Sequence, residues 1–367
     1  NIDRAETQFA DDVDTYAPCV YEKARELIDA RIADGTFIQD DQEVYYLYAL
    51  TMDGRTQTGI VACSDIDDYQ NNIIKKHENT RESKEQDRIR HVDATDAHTG
   101  PIFLVYRQID SIRQVVETVK KQTPIYSFVA DDGIKHEAWL IDQKSDLEII
   151  KAGFEQIPAT YIADGHHRCA SAVKVGLKRR QDNPGFTGNE EYNRFLSVLF
   201  PDDEMMIMDY NRVVKDLNGL SKEEFMAKLN DLFEVENKGT NQVHPESKGT
   251  FGMFIDGEWY HLTAKASILS DDAVEGLDVS VLQNSLLGPV LGIGDPRTDE
   301  RIDFIGGIRG LEELERRVKE DMVVAFSMYP TSIEELLAVA DAHRLMPPKS
   351  TWFEPKLRSG MFIHRLF

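Results

Sequence analysis

The sequence predicts an α+β protein of two lobes, and three observations carry that reading. Asp-Gly pairs at Asp53-Gly54, Asp132-Gly133 and Asp256-Gly257 each separate two β-prone runs, which is the signature of a hairpin. Ile157–Ala172 reads as a strand, a tight turn and a helix in immediate succession. From about residue 204 the pattern changes to short alternating strands and helices, which puts a boundary near 201–210. At about 150 residues per domain, 367 residues suit this division into a lobe over 1–203 and a C-terminal α/β lobe over 204–367.

In chain order, Val20, Ala24, Leu27 and Ile28 recur at helical spacing within 16–34, and Gly35 follows as a C-cap. Val44–Leu50 and Gln57–Ala62 are the two arms of the first hairpin. The polar stretch 64–96 reads as two helices with connecting loops. Gly100-Pro101 opens an apolar strand through Tyr106, a helix follows near 110–121, and two strands flank Asp132-Gly133. The helix after Asp164-Gly165 runs through Val173, with Gly176 its expected end. Asn183-Pro184-Gly185 marks an exposed loop, Phe195–Phe200 is an apolar strand, and a last strand is expected near 361–366.

Asp and Glu number 65 against 42 Lys and Arg, a formal net charge of −23, which disfavours binding to a polyphosphate backbone. Any anion must therefore be held by a local set of donors. The three cysteines are irregularly spaced and form no Cys-x-x-Cys knuckle, so a reducing, cytoplasmic setting is expected. No run of about eighteen apolar residues occurs, so no membrane span is expected, and no signal peptide is recognised. The opening at Asn1 rather than Met leads us to expect a natural start upstream.

Asp164-Gly165-His166-His167-Arg168 is the densest chemistry in the chain. Glycine permits a tight turn, the helix N-terminus presents unsatisfied N–H groups, and Arg168 adds a planar fork matched to phosphate. The plainer reading is a capped helix with exposed histidines. Glu78, in Lys75–Thr80, is a candidate general base, and His77 with Glu78 could join His166 or His167 on a metal. Against the metal, adjacent residues cannot point the same way, and the second histidine of a His-Glu-x-x-His helix is missing. Arg88, Arg90 and His91 lie in a charge-rich run, Arg81–His91, that reads equally as a solvated helix face. Gly292–Asp299 is too short for a dinucleotide fingerprint, and Met346–Thr351 presents Lys349 between prolines and Trp352. Neither a Gly-x-x-x-x-Gly-Lys-Ser/Thr loop nor a Gly-x-Ser-x-Gly elbow is present.

The sequence resembles the prokaryotic family catalogued as domain of unknown function one-thousand-fifteen over nearly its whole length. Asp53–Ala62, His77–Thr80, Asp87-Arg88, Gly100-Pro101, Tyr161–Arg168, Asp295–Asp299 and Met346–Phe353 carry the likeness. The Asp-Gly-His-His-Arg turn also resembles that of the ParB/sulfiredoxin-like fold, whose members hold nucleotide phosphates there, free-serine kinases among them. The resemblance implies a ParB/sulfiredoxin-like mixed-sheet lobe with an insertion, about fifty residues between the strand at 101–107 and the turn. It also implies an N-terminal family segment, usually with Pro-Pro-Tyr-Asp, that this sequence does not include.

On that likeness the implied catalytic residues are His77, Glu78, Asp164 and His166. Gly165, His166, His167 and Arg168 bind the nucleotide, and Thr80 and Arg88 meet the substrate. The implied cofactors are Mg²⁺ with ATP or ADP, and no residue is assigned to a resident metal. Partners are then a nucleotide and a small hydroxylated metabolite, free L-serine foremost, without nucleic acid or membrane. The competing expectations are a nucleotide-gated, ParB-like regulatory module and a metal-dependent hydrolase.

Overall fold

The computed structural model describes residues 2–80 and 82–367, the side chains of 83 and 84 excepted. Asn1 and the Arg81 end of the charged run lie outside the described residues. The chain divides into two compact units. The first comprises the residues up to Met205 together with Pro355–Phe367, and the second is Met206–Glu354. The last residues of the chain, placed in the C-terminal lobe by the division at 203/204, therefore belong to the first unit.

The first unit holds, in order, α1 (Pro18–Ala33), β1 (Tyr45–Met52), β2 (Arg55–Asp65), α2 (Ile66–Gln70), β3 (Ile74–Lys75), α3 (Glu82–Thr95), β4 (Ala97–His98) and β5 (Ile102–Tyr106). It continues with α4 (Asp110–Val119), β6 (Tyr126–Val129), β7 (Lys135–Ile141), α5 (Lys144–Phe154), β8 (Thr160–Asp164), α6 (His166–Asp182) and β9 (Arg194–Pro201). Eight strands form one mixed sheet in the order β3-β8-β5-β9-β2-β1-β7-β6. Asp53 and Gly54 both take positive φ, 50° and 78°, the backbone that lets a two-residue turn follow the twist of β1 and β2. β5 and β9 pair in parallel at the centre, and β5 is buried along its whole length, as befits a strand covered on both faces. Ile112, Val115, Val116 and Val119 put one stripe of α4 into the core, where Leu104, Tyr106, Trp139 and Ile162 also lie.

In the second unit follow β10 (Ile207–Met208), β11 (Tyr210–Val214), α7 (Lys222–Leu232), β12 (Phe233–Gly239), β13 (Thr250–Ile255), β14 (Glu258–Ala264) and α8 (Asp278–Leu282). Then come β15 (Ile302–Gly306), α9 (Leu311–Glu320), β16 (Val324–Met328), α10 (Ile333–Asp341) and β17 (Trp352–Phe353). Its six-stranded sheet, β12-β14-β13-β16-β11-β15, is antiparallel in every pairing. The α+β class read from the sequence is the observed one. Back in the first unit, β18 (His364–Arg365) pairs with β4, so the strand expected over 361–366 shortens to two residues.

α6 does not stop at Gly176 but continues to Asp182. Glycine is needed there for space, not to end the helix: an added Cβ would collide with the Tyr192 carbonyl oxygen and lie 2.7 Å from Ile66 Cδ1. Helix propensity alone would make Gly176→Ala stabilising by about 1 kcal/mol. The collision reverses that sign, and urea unfolding should show a loss of about 1–3 kcal/mol. A gain in stability would mean that the Tyr192 backbone yields.

Candidate active site

β8 delivers Asp164 to the end of the sheet, and Gly165 turns the chain into α6 with φ +93° and ψ 26°. A side chain other than glycine is strained in that conformation. No side chain caps the N-terminus of α6, so its first N–H groups and the positive end of its dipole are not neutralised by a cap. The Arg168 guanidinium folds back over this turn. Its Nε and one terminal nitrogen lie 3.2 Å from where a Gly165 Cβ would stand, and its other terminal nitrogen lies 3.1 Å from the corresponding point on Gly100. Two glycines thus make room for one arginine. Asp164 is flanked by two cations, Arg168 and Lys356, each at 3.7 Å.

Beneath the turn, the rings of His77 and His166 meet edge to face with centroids 4.5 Å apart. They are 2% and 8% exposed, and among the described residues His166 Nε2 has no hydrogen-bond partner. Burial pushes His166 down to about 3, helped by the nearby His167 and Lys76. Burial also carries His77 well below the ordinary histidine value; His166 adds to this, and Asp164 and the Ile162 backbone oppose it. Both rings are neutral in the fold.

The remaining sequence candidates are more dispersed. Glu78 is exposed on the segment between β3 and α3, next to the buried His77. The Thr80 hydroxyl donates to Glu85, which also accepts from Lys174. Burial raises the Glu85 pKa, but those hydrogen bonds and charges outweigh it and hold the carboxyl below its usual range. His167 is half-buried and lies near enough to Glu85 to favour its ionised form. Arg88 lies 4.0 Å from Asp87, which accepts a 2.9 Å hydrogen bond from Tyr21.

A cavity joins several of these groups, lined by Asp3, Arg88, His91, His98, Thr99 and Arg168. Asp3 accepts hydrogen bonds from Thr99 and Ser359. Burial raises its pKa, while those bonds and the charges of His91 and Arg88 carry it below the usual value. Asp3, His98, Thr99, Lys356 and Ser359 were not singled out in the sequence. Thr99 and Lys356 directly adjoin quoted or proline-bounded motifs, Gly100-Pro101 and Pro355, and that adjacency was the available signal. Asp295 and Lys349 belong to the second unit. There Arg297 grips Asp295, and Lys349, at φ 62°, lies 5.6 Å from the Tyr210 ring centre. Among the described residues no group of three or more His, Cys, Asp or Glu converges as a metal cage.

The family model described as "Protein of unknown function (DUF1015)" matches residues 1–280. The chain belongs to the DUF1015 family. No curated protein matches it. Solved structures similar to this DUF1015 chain include a free serine kinase in complex with AMP, 14% identical, covering 80% of this chain and 86% of that one, with a TM-score of 0.38. SbnI with a C-terminal truncation from Staphylococcus aureus is 11% identical, with 82% and 85% covered and a TM-score of 0.44. A conserved hypothetical protein from Pyrococcus furiosus is 13% identical, with 82% and 93% covered and a TM-score of 0.38. Among the described residues of the DUF1015 chain, no helix is long and apolar enough to cross a membrane.

The buried neutral histidines set a pH dependence. In the unfolded chain each takes up a proton near 6.5, whereas folded His166 resists protonation down to about 3. The unfolded state therefore binds more protons as pH falls below 6.5, and stability declines through that window. Each such histidine steepens the decline by up to about 1.4 kcal/mol per pH unit. Urea unfolding between pH 6.5 and 4.5 should show a shallower slope in His166→Asn than in the unmodified chain. Equal slopes would remove His166 from the acid response.

Proposed function

We propose that the first unit binds the phosphates of a nucleotide at the N-terminus of α6 and transfers a phosphoryl group to a small hydroxylated metabolite, free L-serine foremost. The observation that carries this reading is the uncapped helix start behind left-handed Gly165, with the Arg168 guanidinium lying over it. Backbone N–H groups there hold phosphate oxygens, and the absent Cβ of Gly165 lets them approach closely. Arg168, only loosely paired with Asp164 at 3.7 Å, turns its fork to the transferring phosphoryl group and neutralises developing charge. Glu78 takes the proton of the acceptor hydroxyl. Thr80 and Arg88 meet the acceptor, while buried His77 and His166 fix the wall behind the turn.

The donor set suits Mg²⁺, which takes one or two carboxylates and fills its remaining positions from phosphates and water. Asp164 is the carboxylate that would hold it, and the ion would supply charge neutralisation across the phosphate oxygens. In such chemistry the protein's part is positioning and electrostatics.

Phosphorus NMR of the chain with Mg²⁺, ATP or ADP and L-serine tests the reading. A new phosphomonoester signal that requires L-serine is expected. Glu78→Gln should lower turnover by about a hundredfold or more while leaving nucleotide affinity nearly unchanged. Arg168→Ala should weaken nucleotide binding by about ten- to a hundredfold. Nucleotide binding without product would instead favour a nucleotide-gated regulatory module, a reading to which the exposure of Glu78 lends some support.

A further inference from the structure

A chain of three side chains outside the turn leads into the same cavity. His364 Nε2 lies 2.7 Å from the Glu191 carboxylate, and His364 Nδ1 lies 3.2 Å from His98 Nδ1. The two imidazoles stack with centroids 5.5 Å apart. β4 carries His98, β18 carries His364, and the strands pair at these two residues. His98 is 7% exposed, lines the cavity beside Arg88 and Arg168, and its Nε2 has no hydrogen-bond partner among the described residues.

Hydrogen-bond bookkeeping leaves one arrangement of protons. Burial holds both rings below the ordinary histidine value, so each is neutral and carries a single N–H. An ionised carboxylate only accepts, so His364 donates from Nε2 to Glu191. His364 Nδ1 is then an acceptor, and His98 must donate to it from Nδ1. The proton is thereby used, and His98 Nε2 is left as a bare acceptor. A buried acceptor without a donor is unfavourable, and a donor arriving with a ligand would relieve it.

We propose that His98 Nε2 is a specificity-determining acceptor in the arginine-lined cavity, with Glu191 and His364 as positioning residues that fix its tautomer. The matching ligand is a small carboxylate that also carries an O–H or N–H donor, as a hydroxy acid or amino acid does. Arg88 takes its negative charge, and His98 takes the hydrogen bond. This rests on the phosphotransfer reading for the identity of the acceptor substrate and adds the part of the site that would recognise it. A ligand with a charge but no donor leaves Nε2 unsatisfied and is discriminated against.

Heteronuclear NMR of histidine labelled at both ring nitrogens reads the tautomer directly on the unmodified chain, with His98→Gln used to assign the signal. An Nδ1–H tautomer at His98 is expected, with an Nε2 resonance that moves on adding L-serine and not on adding propionate. An Nε2–H tautomer, or an Nε2 signal unmoved by saturating L-serine, would overturn the proposal. His364→Phe removes the acceptor that holds the His98 proton and should give a mixture of tautomers; a single unchanged tautomer would dismiss the relay. In turnover, His98→Leu should raise the KM for L-serine about tenfold without changing that for nucleotide, and His98→Gln should recover part of the loss. Because the tautomer is read without turnover, an absence of product would end the kinase reading, while the Glu191–His364–His98 arrangement would still stand or fall on the NMR result.

Discussion

The backbone conformation at Gly165 is the constraint from which the site is built. A φ of +93° lets β8 end and α6 begin without an intervening loop, so Asp164 and the helix start lie within one turn of each other. That reversal leaves no residue to cap the helix, and the dipole must be answered by something else. It also clears the space over which Arg168 returns to meet Asp164. Below it, the same turn buries His166 against His77, where water cannot reach either ring to stabilise a charge. One dihedral angle therefore sets the positions of a carboxylate, a guanidinium and two neutral imidazoles.

Such a local concentration of donors matters in a chain whose formal charge is −23. Bulk attraction cannot bring an anion to this surface. Arg168, Arg88 and Lys356 instead lie in partly enclosed surroundings, where solvent screens them less than it would on an open face. Asp164 keeps Arg168 and Lys356 in place at 3.7 Å, a separation from which a more strongly held oxyanion can displace it, and the charge of Arg88 acts on Asp3.

Features encoded by neighbouring residues were legible in the sequence. The Asp53-Gly54 hairpin, the helix near 110–121 and the strand–turn–helix around Asp164 all follow from short-range rules of turn chemistry and periodicity. Gly176 was misread because a glycine that ends a helix and a glycine that admits a neighbour look alike until Tyr192 is seen against it. Asp3, Thr99 and Ser359 form a group only after segments far apart in the sequence meet, which the Gly100-Pro101 pair beside Thr99 does not reveal by itself. The same holds for Glu85, whose surroundings come from Thr80 and from Lys174 on another helix. Motifs named the turn and its arginine; the walls around them are a product of tertiary folding.

The return of Pro355–Phe367 to the first unit gives the chain a particular order of assembly. Met206–Glu354 is spliced into the first unit as an insertion between two of its segments. During synthesis from the N-terminus, the sheet from β1 to β9 can collapse early. β4, which lies outside that sheet, and the loop at Thr99 must nevertheless wait for His364 and Gly360. The contact from His98 to His364 spans 266 positions, so its closure entropy is met only once the intervening unit has folded and shortened the effective loop. A ribosome-bound chain cut short before Pro355 would thus hold β1 to β9 while β4 lacks its partner strand and the Thr99 carbonyl lacks its bond from Gly360.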